Sequence, residues 1–210
     1  MKTAVIVGHG PSPKGKSWGS QIDQADIVIR MFNCVWQDEV DYGTKYTAGL
    51  VTADQRSLSW FRQSPVRRPA SWWIYSPSGS LFTIGKGLDQ ELVTLTEERR
   101  VALSLGANTD GHPFAFTRGT AATLHAIRKR PERIVMVGLD EVVSGQFSVS
   151  AYPQACHDEM AKNADLKVNN PRPAGASISD CHDLGIEMAV IRHMAQSNGV
   201  SVMTAEEAWS

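Results

Sequence analysis

Gly8-His9-Gly10-Pro11-Ser12 is the first stretch of the chain with chemistry in it. It follows four apolar residues, Ala4 to Val7, and its glycines let other groups approach the backbone. Amides laid open in this way hydrogen-bond a phosphate or a ribose. They can equally make a tight strand-to-helix turn and nothing more, and the stretch alone leaves both readings open. It is neither GxxxxGK[ST] nor GxGxxG, because Pro11, Ser12 and Pro13 follow the second glycine. Thr117, Gly119 and Thr120 precede an alanine-rich run, which puts hydroxyls and amides at the positive end of a helix. That is an anion site or an N-cap without a ligand. Gly138-Leu139-Asp140-Glu141 sets a carboxylate after a buried strand, where it faces a ligand crevice or caps the next turn. It is not a DxD motif, so no metal is expected there. His182 and Glu187 stand five residues apart, not quite on one helix face. A histidine at or before an N-cap can turn its ring into a site and act as a general base near neutral pH. His112, His125 and His193 lie in or beside regular patterns and read as ordinary structural histidines.

These residues need a frame. Apolar, β-branched runs predict strands at Ala4–Val7, Ala25–Met31, Tyr46–Ala53, Ser71–Ser76, Arg133–Asp140 and Val200–Thr204. Helices are expected at Leu88–Gly106, Gly119–Lys129 and Cys181–Gly199, the last with Asn198-Gly199 as a stop. In Gly119–Lys129, Ala122, Leu124, Ala126 and Ile127 would face a packed side. In Cys181–Gly199, Leu184, Met188, Ile191 and Met194 or Ala195 would do so. Alternating strands and helices predict an α/β fold: one Rossmann-like domain over 1–210 with a mostly parallel sheet. Ligands bind such sheets beyond the carboxyl ends of the strands, where the Gly8–Ser12 turn and the turn at Asp140 would lie. The long Ser-, Asn-, Pro- and Gly-rich stretch 142–180 reads as a lid or acceptor loop.

Composition narrows the class. The net charge of −1 argues against long-range electrostatic capture of nucleic acid. Arg62, Arg67, Arg68 and the Arg128–Arg133 cluster read as solvated surface rather than phosphate contacts. Cys34, Cys156 and Cys181 are far apart without CxxC spacing, which fits reduced thiols better than a zinc site or a disulfide framework. The first apolar run is too short for a signal-peptide core, and no run approaches a transmembrane span. The chain reads as cytoplasmic.

The order of the segments resembles the sialyltransferases. "VIVGHGPSPKGKSWGSQIDQADIVIRMFN" followed by "DYGTKYT" is similar to the large sialylmotif, with Gln21-Ile22-Asp23, Arg30-Met31-Phe32-Asn33 and Asp41 to Thr47 as its elements. "TRGTAATLHAIRKRPERIVMVGLD" resembles the small sialylmotif, and His182 with Glu187 the very short motif. "GHGPS" is similar to the "GNGPS" nucleotide loop of bacterial surface-glycan sialyltransferases. The resemblance implies a GT-A-like variant of the fold and metal-independent, inverting transfer of sialic acid from CMP-sialic acid, with no cofactor beyond the donor. Gly8, Gly10, Pro11 and Ser12, with His9 and Asn33 beside them, would hold the nucleotide. Thr117, Arg118, Gly119 and Thr120 would lie on the phosphate and the donor carboxylate. Asp140 would sit near the ribose or the reacting sugar. His182 would deprotonate a glycan or other acceptor hydroxyl, and Glu187 would support its helix or orient it.

The chain departs from the pattern in places. His9 stands where Asn is usual, and Phe32 where Asn is frequent. Val142 lies where bacterial enzymes carry leaving-group tyrosines, and Tyr152 is the one tyrosine of 142–180. Two other readings therefore stand beside the first. One keeps the fold but changes donor or acceptor, with a nucleic-acid base among the acceptors. The other is a nucleotide-binding module without turnover.

Overall fold

The computed structural model describes residues 2–31, 38–52, 69–76, 89–107, 114–145 and 183–210. Asn33, His182, the three cysteines, Arg62, Arg67, Arg68 and residues 146–180 of the expected lid lie outside them. Among the described residues seven strands form one sheet: β1 (Thr3–Val7), β2 (Ile27–Met31), β3 (Ala48–Thr52), β4 (Ser71–Tyr75), β5 (Gln90–Val93), β6 (Arg133–Val137) and β7 (Ser201–Thr204). Their order is β5-β4-β3-β2-β1-β6-β7. Every pairing is parallel; Ala4 stands opposite Ile27 on one side and Ile134 on the other.

This order places the site. The chain builds outward from β1 through β5, then returns to add β6 and β7 on the other side of β1. Strand order therefore reverses between β1 and β6. A crevice opens beyond the carboxyl ends at such a reversal, because the connections leave those two ends in opposite directions.

Alternation along the strands divides the core into two layers. Ile6, Ile29, Leu50 and Met136 pack on one face against α4 (Arg118–Arg128) and α6 (Leu184–Asn198). Val5, Val7, Val28, Val135 and Val137 pack on the other with Trp18, Ile22 of α1 (Gly19–Gln24), Tyr42 of α2 (Glu39–Tyr42) and Ala205 of α7 (Ala205–Trp209). Helix α4 is buried on all sides from Gly119 to Ile127, not only on the expected stripe. It lies between the sheet and α6, and its alanines let both come close. Glycine stops α6 as expected: Gly199 is left-handed at φ 66°.

The segment 88–106 departs from the helical expectation. Gln90–Val93 is the edge strand β5, and the helix α3 runs only from Thr96 to Ser104. Pairing with β4, which buries Val93 in the core, overrides the helical preference of the Glu and Leu residues. The sixth strand also ends earlier than expected. Val137 is its last residue, Gly138 turns at φ 61°, and Asp140 opens the short helix α5 (Asp140–Ser144). Val142 to Ser144, expected at the start of the lid, belong to that helix. Among the described residues no helix is long and apolar enough to cross a membrane.

Candidate functional site at the reversal of strand order

The first glycine turn is shaped by its neighbour. Gly8 N donates to Val137 O, and Gly10 N to Gly138 O, each at 2.8 Å. A Cβ at Gly8 would lie 2.3 Å from Gly138 O, and one at Gly10 would lie 2.2 Å from Asp140 Oδ2. No side chain fits between two backbones this close. Ser12 N completes the join by donating to Asp140 Oδ2 at 3.0 Å. Asp140 thus holds the glycine turn, and three amides offered by the sequence to a nucleotide already donate within the protein. The Thr117–Thr120 segment meets the same point, since a Cβ at Gly119 would lie 2.7 Å from Leu139 Cδ2.

The large-motif residues brace this join from behind. Tyr42 Oη donates to Gly10 O at 2.8 Å; burial, then the charges of Asp140 and Asp41, push its phenol up to about 12. Asp41 accepts from Gly15 N at 2.7 Å and Ser17 N at 2.9 Å. Asp23 accepts from Thr44 N, Thr44 Oγ1 and Lys45 N. Burial raises the Asp23 carboxyl, but the Lys45 and Thr44 donors outweigh it and leave a net lowering. Arg30, 2% exposed, donates from Nε to Lys45 O at 2.7 Å and from Nη2 to Tyr42 O at 2.8 Å. A buried guanidinium needs many acceptors, and these carbonyls supply them. The sequence marked these residues as motif elements without showing that they cross-link one another.

Glu187 occupies the positive end of α4. It is fully buried on α6. Its Oε1 accepts from Thr117 N at 2.7 Å; its Oε2 accepts from Thr117 Oγ1 at 2.6 Å and from Thr120 Oγ1. Burial pushes its carboxyl up to about 7, while the Thr117 and Thr120 bonds pull it back. The anion that these threonines hold is therefore the chain's own. The two motifs that bear them, 70 residues apart, meet here. A sequence signal existed: Glu187 stands in the buried stripe Leu184, Glu187, Ile191, Met194, where an acid has no place unless partnered. Helix α6 starts from Asp183, whose side chain accepts from Ile186 N.

The described site residues thus gather at the carboxyl ends of β1 and β6: Gly8 to Ser12, Thr117 to Thr120, Asp140 and Glu187. His9, in the glycine turn, and Arg118, at the start of α4, are half-buried. A cavity of about 290 Å³ adjoins them on the β7 side, lined in part by Ser12, Gly138, Asp140, Ser144, Thr204 and Glu206. Among the described residues no group of three or more His, Cys, Asp or Glu could hold a metal ion. His125 is remote from the site. It packs edge-on against Trp73 at 4.5 Å with Glu91 at 3.2 Å, and burial lowers its basicity more than Glu91 restores it.

The fold is similar to that of sialyltransferases of known structure. The crystal structure of a mammalian sialyltransferase matches with a TM-score of 0.52 and 14% identity, over 96% of this chain and 68% of that one. A mammalian sialyltransferase in complex with Gal-beta-1-3GalNAc-ortho-nitrophenol matches with the same figures. No family model and no curated protein matches the sequence.

Proposed function

We propose that the chain is a glycosyltransferase that moves sialic acid from CMP-sialic acid to an acceptor hydroxyl, with inversion and without a metal. One observation carries the reading. Segments resembling the large, small and very short sialylmotifs, scattered from Val5 to Glu187, converge through Asp140 and Glu187 on the reversal point of a sheet shared with sialyltransferases.

The contacts support a division of labour. Asp140 and Tyr42 keep the glycine turn rigid, so the donor meets a preformed wall formed by His9, Pro11 and Ser12, with Asn33 expected beside it. Thr117 and Thr120 act through Glu187, which leaves Arg118 and Gly119 to face the phosphate and the donor carboxylate. CMP is a good leaving group. The protein's share is to hold the anomeric carbon in line and stabilise charge as it develops. His182 takes the proton of the acceptor hydroxyl, and Glu187 anchors the helix that follows it. The His182→Ala variant tests this. It should keep CMP affinity and lose transfer by roughly 10²-fold or more, the size of a general-base effect. Unchanged transfer refutes the assignment.

A further inference from the structure

The cavity beside Asp140 has a composition unlike that of an anion site. Among the described residues its two charged lining groups are carboxylates, Asp140 and Glu206, and no described Lys, Arg or His lines it. A phosphate or carboxylate entering it would meet like charge. Its remaining polar groups are the hydroxyls of Ser12, Ser144 and Thr204, and Met136, Leu139 and Val143 supply an apolar floor. Acceptors and hydroxyls around an apolar floor suit a sugar ring, which presents O–H groups at its edge and C–H groups on its faces. The volume, about 290 Å³, lies at the small end of ligand pockets, roughly 300–1,000 Å³. It has room for one ring rather than a whole nucleotide sugar. The two carboxylates differ in their ties. Asp140 holds Ser12 N. On α7 the capping box is closed by Glu207 with Thr204, so Glu206 is not used there.

We propose that this cavity is a subsite for one neutral, hydroxyl-bearing sugar ring, with Glu206 as the acceptor that recognises its hydroxyls. The inference rests on the glycosyltransferase reading and adds Glu206, which no motif marks, to the residues around Asp140. The ring can come from either of two sources, the ribose of the nucleotide or a free acceptor saccharide.

The test is calorimetric titration of the full chain and its Glu206→Ala and Glu206→Gln variants with CMP, cytidine, 2′,3′-dideoxycytidine and galactose. A ribose subsite predicts that wild type prefers cytidine to its dideoxy analogue by about fivefold or more, the effect of a lost hydrogen bond to a charged acceptor. Glu206→Ala erases that preference, and Glu206→Gln, which keeps one acceptor, restores part of it. A saccharide subsite predicts galactose binding that Glu206→Ala weakens by a similar factor, with the nucleoside preference unchanged. CMP binding with neither effect of Glu206 overturns the subsite and leaves the glycosyltransferase reading standing. No binding of CMP by wild type overturns both.

Discussion

Replacing Glu187 tests whether the clasp between α4 and α6 works as described. In Glu187→Ala the Thr117 amide loses its acceptor, while Thr117 and Thr120 keep only each other, Oγ1 to Oγ1 at 3.1 Å. An orphaned part-buried amide costs about 1–3 kcal/mol, and the lost methylene about another 1 kcal/mol. A total near 3 kcal/mol would lower Tm by roughly 6–12 °C in a chain of this size. Glu187→Gln retains an acceptor for Thr117 N and gains a donor that either hydroxyl can accept by turning. It should stay within about 1 kcal/mol of wild type near pH 6. The two variants also differ from wild type in pH dependence. Burial raises the carboxyl from 4.5 to about 7, so the folded state holds a proton that the unfolded state has released across that interval. This group's contribution is full below about pH 4.5, declines as pH rises to about 7, and is level above. At 1.36 kcal/mol per pH unit the loss is on the order of 3 kcal/mol. Chemical denaturation from about pH 5 to about pH 8 should show wild type losing stability relative to Glu187→Gln. A difference that does not change with pH refutes titration within the clasp. A Gln variant as unstable as the Ala variant refutes the hydrogen-bonding account.

Two further substitutions test the frame. Gly10→Ala drives a Cβ to 2.2 Å from Asp140 Oδ2 and 2.8 Å from Gly138 O. It should cost about 2–3 kcal/mol and weaken CMP binding, read by denaturation and titration together; a variant with wild-type values of both refutes the close-approach argument. Arg128→Met strands Glu98, whose side chain is fully buried and takes both Arg128 Nε at 2.7 Å and Nη2 at 2.6 Å. Breaking a buried pair costs about 3–5 kcal/mol, and the half-exposed Arg128 end puts this one at the lower limit, to be measured as a fall in denaturation midpoint. Glu98→Gln combined with Arg128→Met should recover part of the loss.

The sequence was informative where one period dominates. The runs around Val5, Val28 and Val135 announce strands because both neighbours of each residue are apolar, and Asn198-Gly199 stops α6 as written. It was less informative where a partner distant in sequence decides. Gln90–Val93 carries helix-forming residues, and only β4 makes it a strand. The turn residues were legible as types but not as contacts. Gly8 and Gly10 suggested room for a ligand, and much of that room is taken by Gly138 and Asp140, some 130 positions away. Thr117 and Thr120 suggested an anion, and the anion is Glu187. Asp23, Arg30 and Asp41 bond to backbone groups that no periodicity reveals.

Nucleotide preference bears most directly on the proposed activity. A thermal-shift titration with CMP, UMP, UDP and GDP, without added metal, measures it. At about 100 times its dissociation constant a ligand stabilises by roughly 2.7 kcal/mol, or about 5–10 °C in Tm here. That shift is expected with CMP, and none with the diphosphates. A shift with UDP or GDP in its place, or no shift with any of the four, contradicts the proposed activity.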